Sequence, residues 1–223
     1  MIPWLESIKK FPDTGKALTE PNGLLCAGGD LKPETIVTAY SKGIYPWFSD
    51  DQPILWWSPD PRMVLFPAEF KISKSLAKTV RTKKFEVRFD TAFADVIAGC
   101  AEPREPGGGT WIVPEMQAAY RHLHELGIAH SVESWRDGKL VGGLYGVALG
   151  RMFFGESMFA RETDASKVAL VAIVEKLKRD GFELIDCQQE TTHLARFGAR
   201  PIPRKDFVQR LQELINSQSS AWR

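Results

Sequence analysis

Trp135-Arg136-Asp137-Gly138-Lys139-Leu140-Val141 and Val147-Ala148-Leu149-Gly150-Arg151-Met152-Phe153 carry the two turns on which the fold is read. Asp-Gly between apolar runs signals a tight hairpin, because both residues tolerate the positive φ that such a turn needs. Leu149-Gly150 marks a second reversal. Three consecutive strands are therefore expected, at 129–136, 139–148 and 151–157. The period then becomes helical. Over 165–181, Val168, Leu170, Val171, Val174 and Leu177 fall on an inward face, and Glu175, Lys176, Lys178 and Arg179 on an outward one. A strand at 183–188 and a helix at 203–217 follow. A meander followed by a helix and a strand predicts an α+β architecture, a mixed sheet flanked by helices.

Working back toward the N-terminus, the pattern gives a helix at 114–126 stopped by Gly127, a helix at 91–100, a strand at 85–89, a helix at 73–82 and a strand at 63–66. Before residue 62 the texture changes. Pro33 opens a helix over 33–43, Ile36, Val37 and Tyr40 give it an apolar face, and Gly43 ends it. Prolines at 46, 53, 59 and 61 break regular structure, so Trp47, Phe48, Trp56 and Trp57 are expected on rigid loops. The chain thus divides into a small N-terminal α/β domain, residues 1–61, and a larger domain, residues 62–223.

Composition narrows the function. The 223 residues carry 29 Lys plus Arg against 28 Asp plus Glu, a formal charge of +1, which excludes nucleic-acid binding by bulk charge. Cys26, Cys100 and Cys187 lie far apart, with no C-x-x-C pair, so neither a disulfide framework nor a structural zinc site is expected. The first residues lack the basic and apolar regions of a signal peptide, and no apolar run reaches the roughly 18 residues of a membrane span. A cytoplasmic, reduced protein is the expectation.

Four groups of residues carry potential chemistry. Residues 71–84 hold six cations and no acid. On a helix, Lys71, Lys74, Lys78 and Arg81 share a face opposite Ile72, Leu76 and Val80, with Lys83 and Lys84 just beyond. Cations one turn apart suit a phosphate backbone, although an isolated run of charge is commonly only a solvated face. Seven tryptophans are present, and Trp47, Trp56, Trp57 and Trp111 lie in loop-like sequence. Unpaired bases stack on such rings at ~1–3 kcal/mol each. Trp56 and Trp57 read better as anchors of the thin N-terminal domain, whereas Trp111, after three glycines, reads as a closing group. Strand alternation places Phe153, Gly155, Ser157 and Phe159 on one face and Phe154, Glu156 and Met158 on the other, so Glu156 needs a partner or a role. Asp186 and Gln188, two apart at the end of an apolar strand, share a face suited to an ammonium group. His193 nearby reads as structural.

Several of these residues, Trp47, Trp56, Trp57, Trp111, Glu156, Asp186 and Gln188 among them, fall within motifs that resemble a known family. Pro21-Asn22-Gly23-Leu24-Leu25, Gly28-Gly29-Asp30-Leu31, Gly43-Ile44-Tyr45-Pro46-Trp47-Phe48 and Trp56-Trp57-Ser58-Pro59-Asp60-Pro61-Arg62 are similar to the bacterial leucyl/phenylalanyl-tRNA–protein transferases. So are Thr110-Trp111-Ile112, His130-Ser131-Val132-Glu133, Gly142-Gly143-Leu144-Tyr145-Gly146-Val147, Gly155-Glu156-Ser157-Met158-Phe159, Asp164-Ala165-Ser166-Lys167 and Ile185-Asp186-Cys187-Gln188. The likeness spans about residues 11–210.

The resemblance implies a larger domain with the GNAT-like acyltransferase fold, no cofactor and no metal. It implies transfer of Leu or Phe, and sometimes Met, from aminoacyl-tRNA to acceptor proteins with N-terminal Arg or Lys, which marks them for degradation by the N-degron pathway. By the same resemblance Trp47 and Trp111 hold the 3′-terminal adenosine. Leu144, Phe153, Met158 and Leu170 line the aminoacyl side-chain pocket, and Glu156, Asp186 and Gln188 form the catalytic centre. The basic residues 71–84 would take the tRNA backbone, and the two carboxylates the cationic acceptor. Leu144 stands where the family pattern has Met, and the segment 105–109 before Thr110 is longer than usual. A neutral amide is a poor base, so Gln188 is expected to orient the amine and Asp186 to orient Gln188, with the ribose 2′-hydroxyl moving the proton. Two rivals share parts of this pattern. An acetyl-CoA-dependent acyltransferase would need a Gly-rich pyrophosphate turn, but Arg161-Glu162-Thr163-Asp164-Ala165-Ser166 has no glycine and two acids. A tRNA-binding module without catalysis would leave Glu156, Asp186 and Gln188 idle.

Overall fold

The computed structural model describes residues 2–6, 10–103, 110–216 and 222. The glycine-rich approach to Trp111 and the segment 105–109 lie outside the described residues. In chain order the first elements are β1 (Trp4–Leu5), β2 (Leu24–Gly28), α1 (Pro33–Tyr40), β3 (Tyr45–Pro46), β4 (Leu55–Trp57) and β5 (Arg62–Leu65). Next come α2 (Lys74–Arg81), β6 (Glu86–Phe89), α3 (Phe93–Ala101), α4 (Pro114–Glu125), β7 (Ala129–Arg136), β8 (Lys139–Leu149) and β9 (Met152–Ala160). The chain closes with α5 (Ala165–Arg179), β10 (Leu184–Gln188), α6 (Thr192–Ala195), β11 (Arg200–Ile202) and α7 (Arg204–Ile215).

Two sheets result. The smaller runs β1-β2-β4-β3, the larger β11-β5-β10-β9-β8-β7-β6. The Asp137-Gly138 turn has φ of 51° and 72°, the positive pair that the sequence signal requires. Trp56 and Trp57, expected on a loop, are instead in β4, because the prolines lie outside that strand or, as Pro46 does, on the edge strand β3, where a missing N–H is tolerated. Trp56 is fully buried against Phe11 and donates Nε1–H to the Gly28 carbonyl, as an anchor should.

Helices cover both faces of the large sheet. Against one face pack α2 and α5, around Leu76, Leu144, Phe153, Val168, Leu170 and Leu177. Against the other lie α1, α3, α4 and α7, around Tyr40, Val96, Tyr120, Tyr145, Phe154 and Phe207. Glu133, buried on β7, accepts from the backbone N–H of Thr91 and Ala92 and so caps α3 from a neighbouring strand. Lys176, expected in solvent, is buried. Trp222 near the chain end covers it at 4.6 Å, and Asp180 pairs with it at 2.7 Å.

Two irregularities shape the centre. In the β8–β9 ladder Tyr145 faces Ser157 and Gly146 faces Gly155, leaving Glu156 as an extra, unpaired residue. An inserted residue inverts the alternation beyond it. Phe153 and Met158 therefore reach the α5 side together, while Phe154 and Phe159 share the opposite core, which corrects the simple alternation expected from sequence. Gly146 has no room for a side chain. A Cβ there would stand 2.3 Å from the Phe154 carbonyl oxygen and 2.5 Å from the Phe153 ring. Gly146→Ala is expected to cost about 1–3 kcal/mol of stability and to displace the bulge. Urea unfolding and transfer assays on the same sample would measure both, and an unchanged midpoint would show that the bulge yields freely.

The second irregularity lies between β10 and β5, where Asp186 faces Val64 and Gln188 faces Met63, leaving Cys187 extra. The parallel pairing of β9 with β10 ends at Phe154–Asp186, although both strands continue. The sheet opens there, where the parallel pairing ends in the chain direction, the only parallel pairing in this sheet among the described residues and the kind of place where sheets commonly receive ligands.

Candidate active site

The opening leads into a cavity of about 830 Å³. Trp47, Trp111, Leu144, Phe153, Glu156, Met158, Leu170, Asp186 and Gln188 all border it. One cavity thus brings together every non-basic site residue singled out from the sequence. The residues come from β3 and its following loop, the segment before α4, the strands β8, β9 and β10, and α5. Trp47 is 36% exposed, its ring edge-on to Trp57 at 5.3 Å, and its carbonyl accepts the Trp57 indole N–H at 2.6 Å. It is held yet accessible. Leu144, Phe153, Met158 and Leu170 form an apolar wall, partly unbranched and deformable at Met158.

The polar centre departs from expectation. Asp186 has no exposed side-chain surface. Its Oδ1 accepts from Arg62 Nε at 2.8 Å and its Oδ2 from Arg62 Nη2 at 2.7 Å, a bidentate pair buried on both sides. Arg62 also donates to the Gly43 carbonyl at 3.0 Å and lies between the rings of Tyr45 and Phe207. Asp186 is therefore unavailable to an incoming cation, which corrects its expected part in holding the acceptor. What it does hold is the backbone N–H of Gln188, at 2.9 Å. That bond fixes Gln188 at φ 61°, a left-handed conformation costly for a side chain of its size. Because of it and the Cys187 bulge, Asp186 and Gln188 do not stand side by side on one face.

Gln188 Nε2 donates to Glu156 Oε1 at 2.9 Å, leaving its own Oε1 as the acceptor side of the amide. Glu156 also receives Tyr40 OH at 2.6 Å and Tyr120 OH at 3.1 Å. Burial pushes its carboxyl up to about 7, against the pull of its hydrogen-bond donors. Both phenols, fully buried, are held well above their usual range by burial and by the adjoining carboxyl. Arg62, Tyr40 and Tyr120 are the site residues that sequence reading missed. Tyr40 looks like one more apolar residue of a helix face, and Arg62 finds its partner 124 residues away.

The basic segment lies outside the cavity. Ser73 caps α2 by accepting the Leu76 N–H, so the helix starts at Lys74 and Lys71 precedes it. The shared face therefore reduces to Lys74, Lys78 and Arg81, all exposed. Leu76 is buried and Val80 packs on the core, whereas Ile72 is 40% exposed. Lys83 is exposed beyond the helix at φ 49°, and Lys84 leans on Glu162 at 3.8 Å. Across from α2, Glu162 and Asp164 flank the turn into α5, bound by Arg136 and Lys167. Among the described residues no group of His, Cys, Asp and Glu is arranged for a metal, and no helix is long and apolar enough to cross a membrane.

The mixed sheet, flanked by helices and opening beside an apolar pocket and a polar centre, has the GNAT-like fold. A solved structure of FemX superposes with a TM-score of 0.50 at 10% identity, covering 81% of this chain and 71% of that one. The family described as leucyl/phenylalanyl-tRNA protein transferase matches residues 64–212, and its N-terminal domain residues 29–60. Leucyl/phenylalanyl-tRNA–protein transferases from Aromatoleum aromaticum and Nitrosospira multiformis are 63% and 61% identical to the chain. Each covers 97% of it, over 91% and 93% of their own lengths. The chain belongs to the leucyl/phenylalanyl-tRNA–protein transferase family, and it is an aminoacyltransferase.

Proposed function

We propose that the protein transfers Leu or Phe, and also Met, from aminoacyl-tRNA to the N-terminal Arg or Lys of acceptor proteins, marking them for proteolysis as N-degrons. The observation that carries this reading is the single cavity shared by Trp47 and Trp111, the apolar wall and the Glu156–Gln188 pair. Trp47 and Trp111 take the 3′-terminal adenosine by stacking. Leu144, Phe153, Met158 and Leu170 take the unbranched or aromatic side chain, and a β-branched one fits the slot less well. Lys74, Lys78 and Arg81, with Lys71, Lys83 and Lys84 beside them, follow the acceptor stem. The cytoplasm, where charged tRNA is available, is the compartment this reading requires, and the chain divides at residue 61.

The ester is already activated, so the reaction needs orientation more than acid–base power. The acceptor α-amine attacks the ester carbonyl carbon, a C–N bond forms, and the C–O bond to the ribose 3′-oxygen breaks. The amine proton passes to that oxygen, with the 2′-hydroxyl as the shuttle. An α-amine has a pKa of ~7.7–8.0, so a neutral fraction exists near neutrality without a strong base. Gln188 Oε1 orients the amine, and Asp186 acts on Gln188 as a positioning residue. Orientation alone can supply ~7–11 kcal/mol.

Gln188→Ala should therefore slow single-turnover transfer roughly tenfold to a hundredfold, about 1.4–2.7 kcal/mol, with unchanged affinity for aminoacyl-tRNA. Complete loss of transfer with normal binding would mean that Gln188 takes the proton itself. The reading as a whole is tested by transfer of radiolabelled Leu from Leu-tRNA to a protein beginning with Arg, with acetyl-CoA as the alternative donor. Transfer from the tRNA that vanishes when Arg is replaced by Ala supports it. Acetylation, or tRNA binding with no transfer, overturns it.

A further inference from the structure

The hydrogens around Glu156 can be counted. Tyr40 OH stands 2.6 Å from Glu156 Oε1, Tyr120 OH 3.1 Å from Glu156 Oε2, and the two phenol oxygens 2.6 Å from each other. The three groups close a ring of three oxygen–oxygen contacts, each at hydrogen-bond length, and each contact needs one hydrogen. Two phenols supply two. If Glu156 is a carboxylate, one contact presses lone pairs together with nothing between them. If Glu156 is an acid, the Tyr120 contact reverses and the ring closes: Oε2–H donates to Tyr120, Tyr120 to Tyr40, and Tyr40 to Oε1. Gln188 Nε2 fills the remaining lone pair of Oε1 in either case.

Among the described residues, the other groups facing Glu156 supply no competing cation. From β10 comes Asp186, itself anionic and already paired with Arg62. From β3 and β8 come Tyr45 and Tyr145, phenols that burial holds above their usual range. From α1 and α4 come the two phenols of the ring, and Gln188 offers only an amide. Burial of the carboxyl acts in the same direction as the hydrogen count.

We propose that Tyr40 and Tyr120 are positioning residues that hold Glu156 as a neutral carboxylic acid, so that the reaction centre offers no free negative charge to the acceptor amine. The inference rests on the transfer reaction proposed above. Aminolysis needs a neutral amine, and an open carboxylate beside it would stabilise the ammonium form and deplete the nucleophile. Both acids at the centre are thereby silenced, Asp186 by a guanidinium and Glu156 by a proton. A neutral Glu156 still accepts from Gln188 and keeps that amide turned with its oxygen toward the cavity.

Two measurements test this separately from the function. In the resting enzyme without substrate, the isotope-edited infrared band of the Glu156 carboxyl, identified by its loss in Glu156→Gln, should be that of the protonated acid at mildly acidic pH. It should give way to the carboxylate only as pH rises through neutrality. A carboxylate band throughout that range overturns the proposal whatever the enzyme transfers. In single-turnover transfer from Leu-tRNA, the wild-type rate should fall on the alkaline side as Glu156 ionises. Glu156→Gln, whose amide completes the same ring without a titrating proton, should lose that fall and rise with the ionisation of the amine alone, whatever its absolute rate. An alkaline fall of the same shape in both enzymes also overturns it.

Discussion

Arg62→Ala is expected to lower the unfolding free energy by about 3–5 kcal/mol. The guanidinium and the Asp186 carboxylate are both without exposed surface, and their attraction offsets the cost of taking each from water. Deleting one leaves the other as a bare buried charge, which is worse than having neither. The double variant Arg62→Met with Asp186→Leu should therefore regain most of the stability, since an apolar pair of similar volume has no charge to desolvate. Its activity should not return. Asp186 is the acceptor that holds the Gln188 N–H at 2.9 Å, and without it the strained φ of 61° has nothing to maintain it. Urea unfolding followed by tryptophan fluorescence, with transfer assayed on the same preparations, separates the two effects. A loss below about 1 kcal/mol in Arg62→Ala would mean that Asp186 is served by water, as exposed pairs are.

The second large effect is a loss of stability with rising pH. In the unfolded chain Glu156 titrates near 4.5, and in the folded protein at about 7. Below 4.5 both states hold the proton and the group is neutral in the balance. Between 4.5 and about 7 the unfolded state releases its proton while the folded state keeps it, so each pH unit costs the fold about 1.4 kcal/mol. Above 7 the loss levels off at about 3 kcal/mol. Asp30 and Asp90, whose carboxyls are held below the usual range by hydrogen bonds from Thr35 and His130 against the opposing effect of burial, contribute with the opposite sign and are lost as pH falls. The difference between wild type and Glu156→Gln isolates the one group. Its unfolding free energy relative to wild type should climb across that window, and a flat difference would show that Glu156 titrates normally.

Legibility in the sequence followed the range of the interactions concerned. The Asp137-Gly138 hairpin was readable because its turn conformation depends on those two residues alone. Leu144 and Met158, which border the cavity, stand in motifs that resemble a family's, whereas Phe153 and Leu170 fall outside those motifs and came from the likeness as a whole. The Glu156 bulge was not, since it exists only as a mismatch in register between β8 and β9. Lys71 was drawn into the basic row by helical spacing, but one serine hydroxyl at position 73 starts the helix beyond it. Lys176 follows its helical period outward on paper and is buried by Trp222, a residue 46 positions on in the chain. The polar centre was legible as residue types and not as an arrangement. Phenols that read as core, and an arginine inside a proline-rich motif, decide what the carboxylates can do.

The path of α7 ties the centre to residues far apart in the chain. Its Phe207 seats Arg62 at 4.6 Å, its Gln212 donates to the Ser41 carbonyl, and Arg204 donates to that of Ser58. Residues of α7 thus complete contacts begun well upstream, at Ser41, Ser58 and Arg62. Arg62 has Tyr45 upstream of it, but its carboxylate comes 124 residues on and its second aromatic cover, Phe207, later still. A growing chain therefore carries an unfinished centre until α7 has been made. Any truncation within α7 should leave Arg62 as the place where the damage appears.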